Sequence, residues 1–314
     1  MISTKVGRLL PRTEVLFVLL AGFWGASFVG IDVGLHHFPP ILFAALRYDM
    51  AGLAILGYAI VTTDRWKPKS RADVLAILAI GVFIIAGHHG FLYLGQQHVP
   101  GALAAVIISL SPVLTAVFAS AMFADEHITP LGILGFAFGV AGVAIVADPN
   151  PENLLSVGVV GISLVFLGGV SFALGSVLTQ PLDSELSLPA LQGWAMIVGS
   201  ALLHALSTAR GESHTTINWS IPAVVSLLYL VLISGVVAFL LYFHLLDEIG
   251  PTELNLVAYL EPVVATLLSW ALLGELVATT TLVGFGAIFA GFALLKRDAL
   301  FAVVRSLSPT ARRA

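Results

Sequence analysis

Residues Gly101–Val146 read GALAAVIISLSPVLTAVFASAMFADEHITPLGILGFAFGVAGVAIV, and residues Pro251–Leu295 read PTELNLVAYLEPVVATLLSWALLGELVATTTLVGFGAIFAGFALL. Each stretch is two apolar runs around a short polar break. A proline stands inside the first run, an acid in the break, and small residues recur through the second run. Pro112 and Pro262 are 150 residues apart, while Glu126 and Glu275, Gly135 and Gly284, and Gly142 and Gly291 are each 149 apart. One inserted residue between proline and acid accounts for the drift. The chain therefore reads as two copies of one unit, and a duplication of this kind constrains the whole fold.

Composition names the solvent. The 314 residues are 58% hydrophobic and only 10% charged, with mean hydropathy +1.01. A soluble domain carries roughly 25% charged residues, so this chain cannot cover a soluble surface and most of it must face lipid. Its apolar runs are about as long as a helix crossing a bilayer, some 17–25 residues. They are continuous rather than alternating, which excludes a transmembrane barrel. With no cysteine, disulfides and thiolate metal sites are ruled out. The opening MISTKVGRLLPRTE lacks a cleavable small-residue site after a short apolar core, so the first run reads as a retained helix.

Hydropathy predicts ten spans, over residues 14–34, 40–61, 73–94, 101–123, 130–147, 157–178, 188–208, 221–246, 252–273 and 280–295. Residues 1–148 form the first five-helix unit and 157–297 the second. The turn-rich segment 149–156 links them, and 298–314 is a basic tail. Twelve of the fourteen basic residues fall on one side of such a chain: Lys5, Arg8, Arg12, Arg65, Lys67, Lys69, Arg71, Lys296, Arg297, Arg305, Arg312 and Arg313. The positive-inside rule puts that side, with both termini, in the cytoplasm. Five spans per unit is an odd number, so the two units cross the membrane in opposite senses. The expected fold is an all-α integral membrane protein with ten transmembrane helices in two inverted-topology repeats, the plan of secondary transporters that rock two halves around a midplane site.

LSPVLTAVFASAMFADE with GFAFGVAGVAIV, repeated as YLEPVVATLLSWALLGE with GFGAIFAGFALL, resembles the drug/metabolite transporter superfamily, in particular its EamA-type ten-helix exporters. FWGASFVGIDVGL followed by FPPILFAALRYDMAGLAIL resembles the family's first two helices, including the arginine of the second. The likeness runs from about Val15 to Lys296. The first copy has Ser111-Pro112 where the family often has Glu-Pro; only Glu261-Pro262 keeps the acid. The resemblance implies an exporter of amino acids, other metabolites or toxic compounds in the cell membrane. It also implies a central cavity lined by helices 1, 3, 4, 6, 8 and 9, and protons as a possible coupling ion.

Individual residues sharpen this. Pro112 and Pro262 lack an N–H, so the carbonyls of Ile108 and Ala258 lose their helical partners. Such breaks face protein or a watery cavity, as hinges or as static kinks satisfied by a neighbouring serine such as Ser109. Glu126 and Glu275 suit the positive ends of the following helices. Gly135 and Gly139 suit close helix packing. Candidate substrate-binding residues are Trp24, Ser27, His88, His89, Tyr93, Ser109, Tyr242, Asn255, Tyr259 and Glu261. Intramembrane histidines and a glutamate at the middle of a span mark a functional interior. Glu261 is expected to be a proton-responsive or amine-binding group, with Tyr259 about 200° away around the helix. An ion pair of Arg47 with Asp32 or Asp49 would lower the cost of the arginine in lipid.

The rival classes are a membrane-embedded enzyme, a purely structural membrane protein, and a sugar-phosphate or nucleotide-sugar carrier. The first lacks a nucleophile–base pair, HExxH or spaced aspartate clusters. No metal ligand set or cofactor motif is present, and nothing suggests nucleic acid. The last would need cationic side chains in its cavity, whereas the spans hold one arginine and no lysine. Neutral, zwitterionic or cationic substrates fit better.

Overall fold

The computed structural model describes residues 10–123, 129–147, 156–254, 256–275 and 278–295, and every regular element among them is helical. Ten helices are labelled in chain order: α1 (Leu10–Leu35), α2 (Pro40–Thr62), α3 (Arg71–Gln96), α4 (Gly101–Met122), α5 (Pro130–Ala147), α6 (Val157–Thr179), α7 (Leu188–Ala209), α8 (Ile221–Gly250), α9 (Val257–Leu273) and α10 (Thr279–Leu295). Seven of them, α1 to α4 and α6 to α8, are long and apolar enough to cross a membrane; α5, α9 and α10 are shorter apolar helices. Glu126, Asn255, most of the expected linker and the basic tail lie outside the described residues. Large apolar side chains stand on the surface, with Val61 85%, Leu272 68%, Leu53 65% and Ile133 56% exposed. Arg47, Asp32, His88 and Gln96 are buried. That inside-out distribution is stable only in lipid, and the chain is an integral membrane protein.

Cross-chain caps tie the helix ends. Ser70 and Asp73 form a reciprocal capping box at the start of α3. The Asp73 carboxylate also accepts from Lys69 N at 2.9 Å, from Ser184 Oγ at 2.8 Å and from Glu185 N at 3.0 Å. The α2–α3 and α6–α7 loops are thereby stitched together, with Trp194 Nε1 donating to the Trp66 carbonyl at 2.8 Å. The first turn of α2 has no side-chain cap of its own. Glu212, from the α7–α8 loop, accepts from Leu42 N at 2.8 Å and Ile41 N at 3.3 Å instead. Orphan amides at a helix start favour an anionic acceptor.

Departures from regular helix place the interior. Ile80–Gly87 of α3 and Tyr229–Val237 of α8 are π-helical, and the two stretches begin 149 residues apart, the spacing of the sequence repeat. A widened turn releases carbonyls from the helical ladder. In α3 these are taken by Ser171 Oγ, donating to Phe83 O at 2.7 Å, and by His89 Nδ1, at 3.1 Å from Ile84 O. Helix α4 breaks at Ser109–Leu110, just before Pro112. The carbonyl freed at Ile108 is held by the Ser111 hydroxyl at 2.7 Å. This corrects the expectation that Ser109 serves it: Ser109 Oγ donates to Val106 O at 2.7 Å, because three residues back is the reach of a serine hydroxyl on its own helix. Pro262, by contrast, stays inside a continuous turn of α9. Helix α8 runs four residues past its expected end to Gly250, whose φ of 77° and ψ of 172° are open to glycine alone.

Helices α5 and α10 touch backbone to backbone. A Cβ on Gly142 would lie 2.6 Å from the Gly284 carbonyl, and one on Gly284 would lie 2.7 Å from the Gly142 carbonyl. A Cβ on Gly291 would strike the Gly135 carbonyl and come 3.1 Å from the Gly139 amide. The glycines that recur in the sequence are therefore the contact surface between α5 and α10, the close approach small residues permit.

Candidate functional site

A buried polar cluster forms where α1, α2, α3 and α8 meet. Arg47 of α2 is its centre, 4% exposed. Its Nη1 donates to Tyr93 Oη of α3 at 3.1 Å and its Nη2 to Ser234 Oγ of α8 at 2.9 Å. The guanidinium carbon also lies 5.0 Å from the centroid of the Tyr48 ring, within cation–π range. Arg47 Nε is buried without a partner among the described residues. The Ser234 carbonyl, in the π-helical part of α8, accepts from Trp24 Nε1 at 3.3 Å. Tyr229 Oη from the same stretch donates to the Phe23 carbonyl at 2.9 Å. One wide turn of α8 thus supplies contacts to α1 and α2 together.

The expected ion pair of Arg47 does not form. Asp32 accepts from Gly101 N at 2.6 Å and Gln96 Nε2 at 3.1 Å, and Asp49 faces His204 Nε2 at 2.6 Å. Each carboxylate is held by helix ends and polar groups on its own side of α1 or α2. Arg47 is left with neutral oxygens and a ring, and no carboxylate among the described residues lies within 4 Å of it. A cation held in this way keeps its charge and its spare N–H donors for an anion.

The histidines on α3 differ in use. His88 Nδ1 sits 3.0 Å from the Gly168 carbonyl of α6, a link between helices. His89 Nδ1 faces the Ile84 carbonyl, which can only accept, so this nitrogen carries the hydrogen. Its Nε2 is then free to accept, and the Tyr48 hydroxyl donates to it at 2.5 Å. Trp24, His89 and Tyr93 are therefore brought together around Arg47 and Tyr48. Tyr242 extends the cluster as an aromatic wall, its ring centroid 5.4 Å from that of Trp24, with Phe239 at the same distance from Trp24.

Other sequence candidates stand apart. Ser27 Oγ donates to the Trp24 carbonyl at 2.5 Å, and Ser109 is likewise engaged on its own helix. Tyr259 packs among Val106, Leu110 and Val113, against α4 and α10. Glu261 is partly exposed on α9 at the seam with α1, where its carbonyl would lie 2.7 Å from a Cβ on Gly25. Glu275 follows the left-handed Gly274 and lines a separate cavity at one end of the bundle. Nothing in the sequence marks Tyr48 or Ser234, and it offers Arg47 only as a partner in an ion pair. As the one basic residue inside a span, Arg47 carried a signal; a lone serine in an apolar run carries none.

Likeness to known proteins agrees with this architecture. The family described as the EamA-like transporter family matches residues 12–147 and, a second time, residues 159–297. The inner membrane transporter YedA of Escherichia coli (strain K12) is 29% identical over 285 residues, 90% of this chain and 89% of the relative. A protein of Salmonella typhimurium described as a probable amino-acid metabolite efflux pump is 26% identical over 286 residues, 88% of this chain and 92% of its own. A transporter of Archaeoglobus fulgidus is 26% identical over 283 residues, 90% and 98% of the two chains. One solved crystal structure matches with a TM-score of 0.64 at 17% identity, over 95% of this chain and 99% of its own, a likeness of fold.

Proposed function

The chain belongs to the EamA-like transporter family, and on that premise we propose that it exports small zwitterionic metabolites, amino acids or close relatives, by alternating access around the Arg47 cluster. As a member it is a multi-pass transporter of the cell membrane, not an enzyme. The observation that carries the reading is the arginine itself: a buried cation with donors to spare and no carboxylate in reach among the described residues. A substrate carboxylate matches it by charge and by geometry, since a guanidinium binds carboxylate through paired N–H donors. Trp24, Tyr48, Tyr93 and Tyr242 offer aromatic faces beside it. The cluster is closed in this conformation, so a substrate reaches Arg47 only when α8 parts from α1, α2 and α3. That separation is the rocking of one half against the other, with protons as the coupling ion and Glu261 as the group that responds to them. A sugar-phosphate carrier would need more than one cation at its site.

We read the spans as ten and the two five-helix units, 1–148 and 157–297, as inverted repeats with 149–156 between them. Support comes from the two separate family matches, the 149-residue spacing of the π-helical stretches in α3 and α8, and the reciprocal Gly142–Gly284 contacts. The basic residues put both termini and the 298–314 tail in the cytoplasm. Asp64→Cys and Thr216→Cys, in a chain without cysteine, check the orientation. An impermeant thiol reagent applied to intact cells should label Thr216→Cys and spare Asp64→Cys; the reverse pattern overturns it.

The function is tested by efflux from liposomes loaded with a panel of amino acids and organic cations, under an imposed pH gradient. Saturable, gradient-dependent flux of zwitterionic amino acids is expected. Glu261→Gln keeps the shape of the side chain but cannot titrate, and its flux should no longer follow the gradient. No saturable flux of any zwitterion sinks the substrate assignment. A Glu261→Gln profile identical to the parent's removes the glutamate from coupling and points to His88, His89 and Tyr93.

A further inference from the structure

A cavity of about 510 Å³ opens at the end of the bundle where α1 finishes and α4 begins, away from the Arg47 cluster. Asp32, Gln96 and Glu275 line it, with His36, His37 and His98 around them. Asp32 and Gln96 are buried, 8% and 5% exposed. The Gln96 amide is oriented by its neighbours: Nε2 lies 3.1 Å from Asp32 Oδ1 and 3.1 Å from the Phe28 carbonyl, both acceptors. Its Oε1 is turned away from them, buried and without a partner among the described residues. Glu275 Oε2 is in the same condition. Gly274, at φ 71°, makes the left-handed turn that brings Glu275 to the cavity.

We propose that this cavity is a binding site for an ammonium group. Two carboxylates share one concave surface, and no lysine or arginine among the described residues lines it. Bringing like charges together without a cation is unfavourable. An –NH₃⁺ group has three donors and no acceptor, and the residues lining the cavity carry acceptors to match: the Glu275 carboxylate, the outer lone pairs of Asp32 and the buried, unpartnered Gln96 Oε1. Among the described residues no group of three or more His, Asp or Glu side chains is arranged to hold a metal ion, so a hydrogen-bonding cation fits better than a coordinated one. Under the proposed orientation the site faces outward. The ammonium belongs either to a soluble amine, such as the amine end of a transported metabolite, or to an ethanolamine lipid headgroup.

The test is calorimetric titration of n-butylammonium chloride into the full-length protein in phosphatidylcholine nanodiscs, with potassium chloride as the ionic-strength control. Saturable binding is expected, with Kd raised about tenfold or more in Glu275→Gln, the loss of one charge-assisted partner. Glu275→Lys should supply a tethered ammonium and abolish butylammonium binding while keeping the parent's thermal midpoint or raising it. Nanodiscs containing phosphatidylethanolamine separate the two sources: an unchanged Kd assigns the site to a soluble amine, and an apparent Kd that rises with lipid content assigns it to the headgroup. Absence of saturable binding, equal affinity in Glu275→Gln, or equal competition by potassium overturns the proposal. Arg47→Gln should leave butylammonium affinity unchanged, so failure here and failure of the export reading are separately visible.

Discussion

Arg47→Gln is expected to lower amino-acid efflux by about a hundredfold while the protein still inserts and purifies as a folded species. The magnitude follows from the contact it removes. A charge-assisted partner to a buried carboxylate contributes roughly 2–5 kcal/mol, and each 1.4 kcal/mol is about tenfold in a binding constant. Insertion should not suffer, because the chain already inserts with an arginine at span depth, which costs roughly 2.5–3.5 kcal/mol, and glutamine carries no charge. Folding is checked by the thermal midpoint, which should stay near the parent's, since the Tyr93 and Ser234 oxygens that Arg47 now spans are neutral and no buried charge is left without its partner. Arg47→Lys should not restore flux. A lysine is a point charge that cannot donate to both oxygens and a ligand in a fixed plane. Flux within threefold of the parent in Arg47→Gln, at equal expression, would remove the arginine from the transport path and leave it as a structural brace.

Gly291→Ala is expected to destabilise the protein by about 2–3 kcal/mol, a fall of roughly 3–5 °C in thermal midpoint for a chain of this length. The new methyl meets the Gly135 carbonyl of α5, a backbone atom that cannot rotate away, so α5 and α10 must separate. Packing, not hydrophobic transfer, holds apolar helices together in lipid, and the loss spreads along the shared face. Gly142→Ala should act in the same direction, because its Cβ would lie 2.6 Å from the Gly284 carbonyl. Gly22→Ala is the internal control: nothing lies within 4 Å of its Cβ, and alanine is the better helix former by about 1 kcal/mol. Its midpoint should hold or rise. Equal behaviour of Gly22→Ala and Gly291→Ala would mean that the α5–α10 contact is not a determinant of stability.

Lipid as the solvent and helices as the spanning structure were both legible in the sequence. Each follows from composition or spacing along one chain, and neither depends on how distant helices turn against each other. The glycine contacts of α5 and α10 were legible for the same reason: small residues at fixed spacing have few uses in lipid except close approach. The candidate site was legible in part. Trp24, His89 and Tyr93 stood out as polar or amphipathic groups in apolar runs, and they meet. Ser27 and Ser109 stood out equally, yet their hydroxyls bond their own helices, since a local carbonyl three residues back is always within reach. Tertiary structure alone decided that Arg47 meets Tyr93 and Ser234 rather than Asp32 or Asp49, and that Ser234 matters at all. A run apolar on every side carries no periodic signal to say which face turns inward. The π-helical turns of α3 and α8 shift that face partway along the helix, and their register is set only when the helices pack.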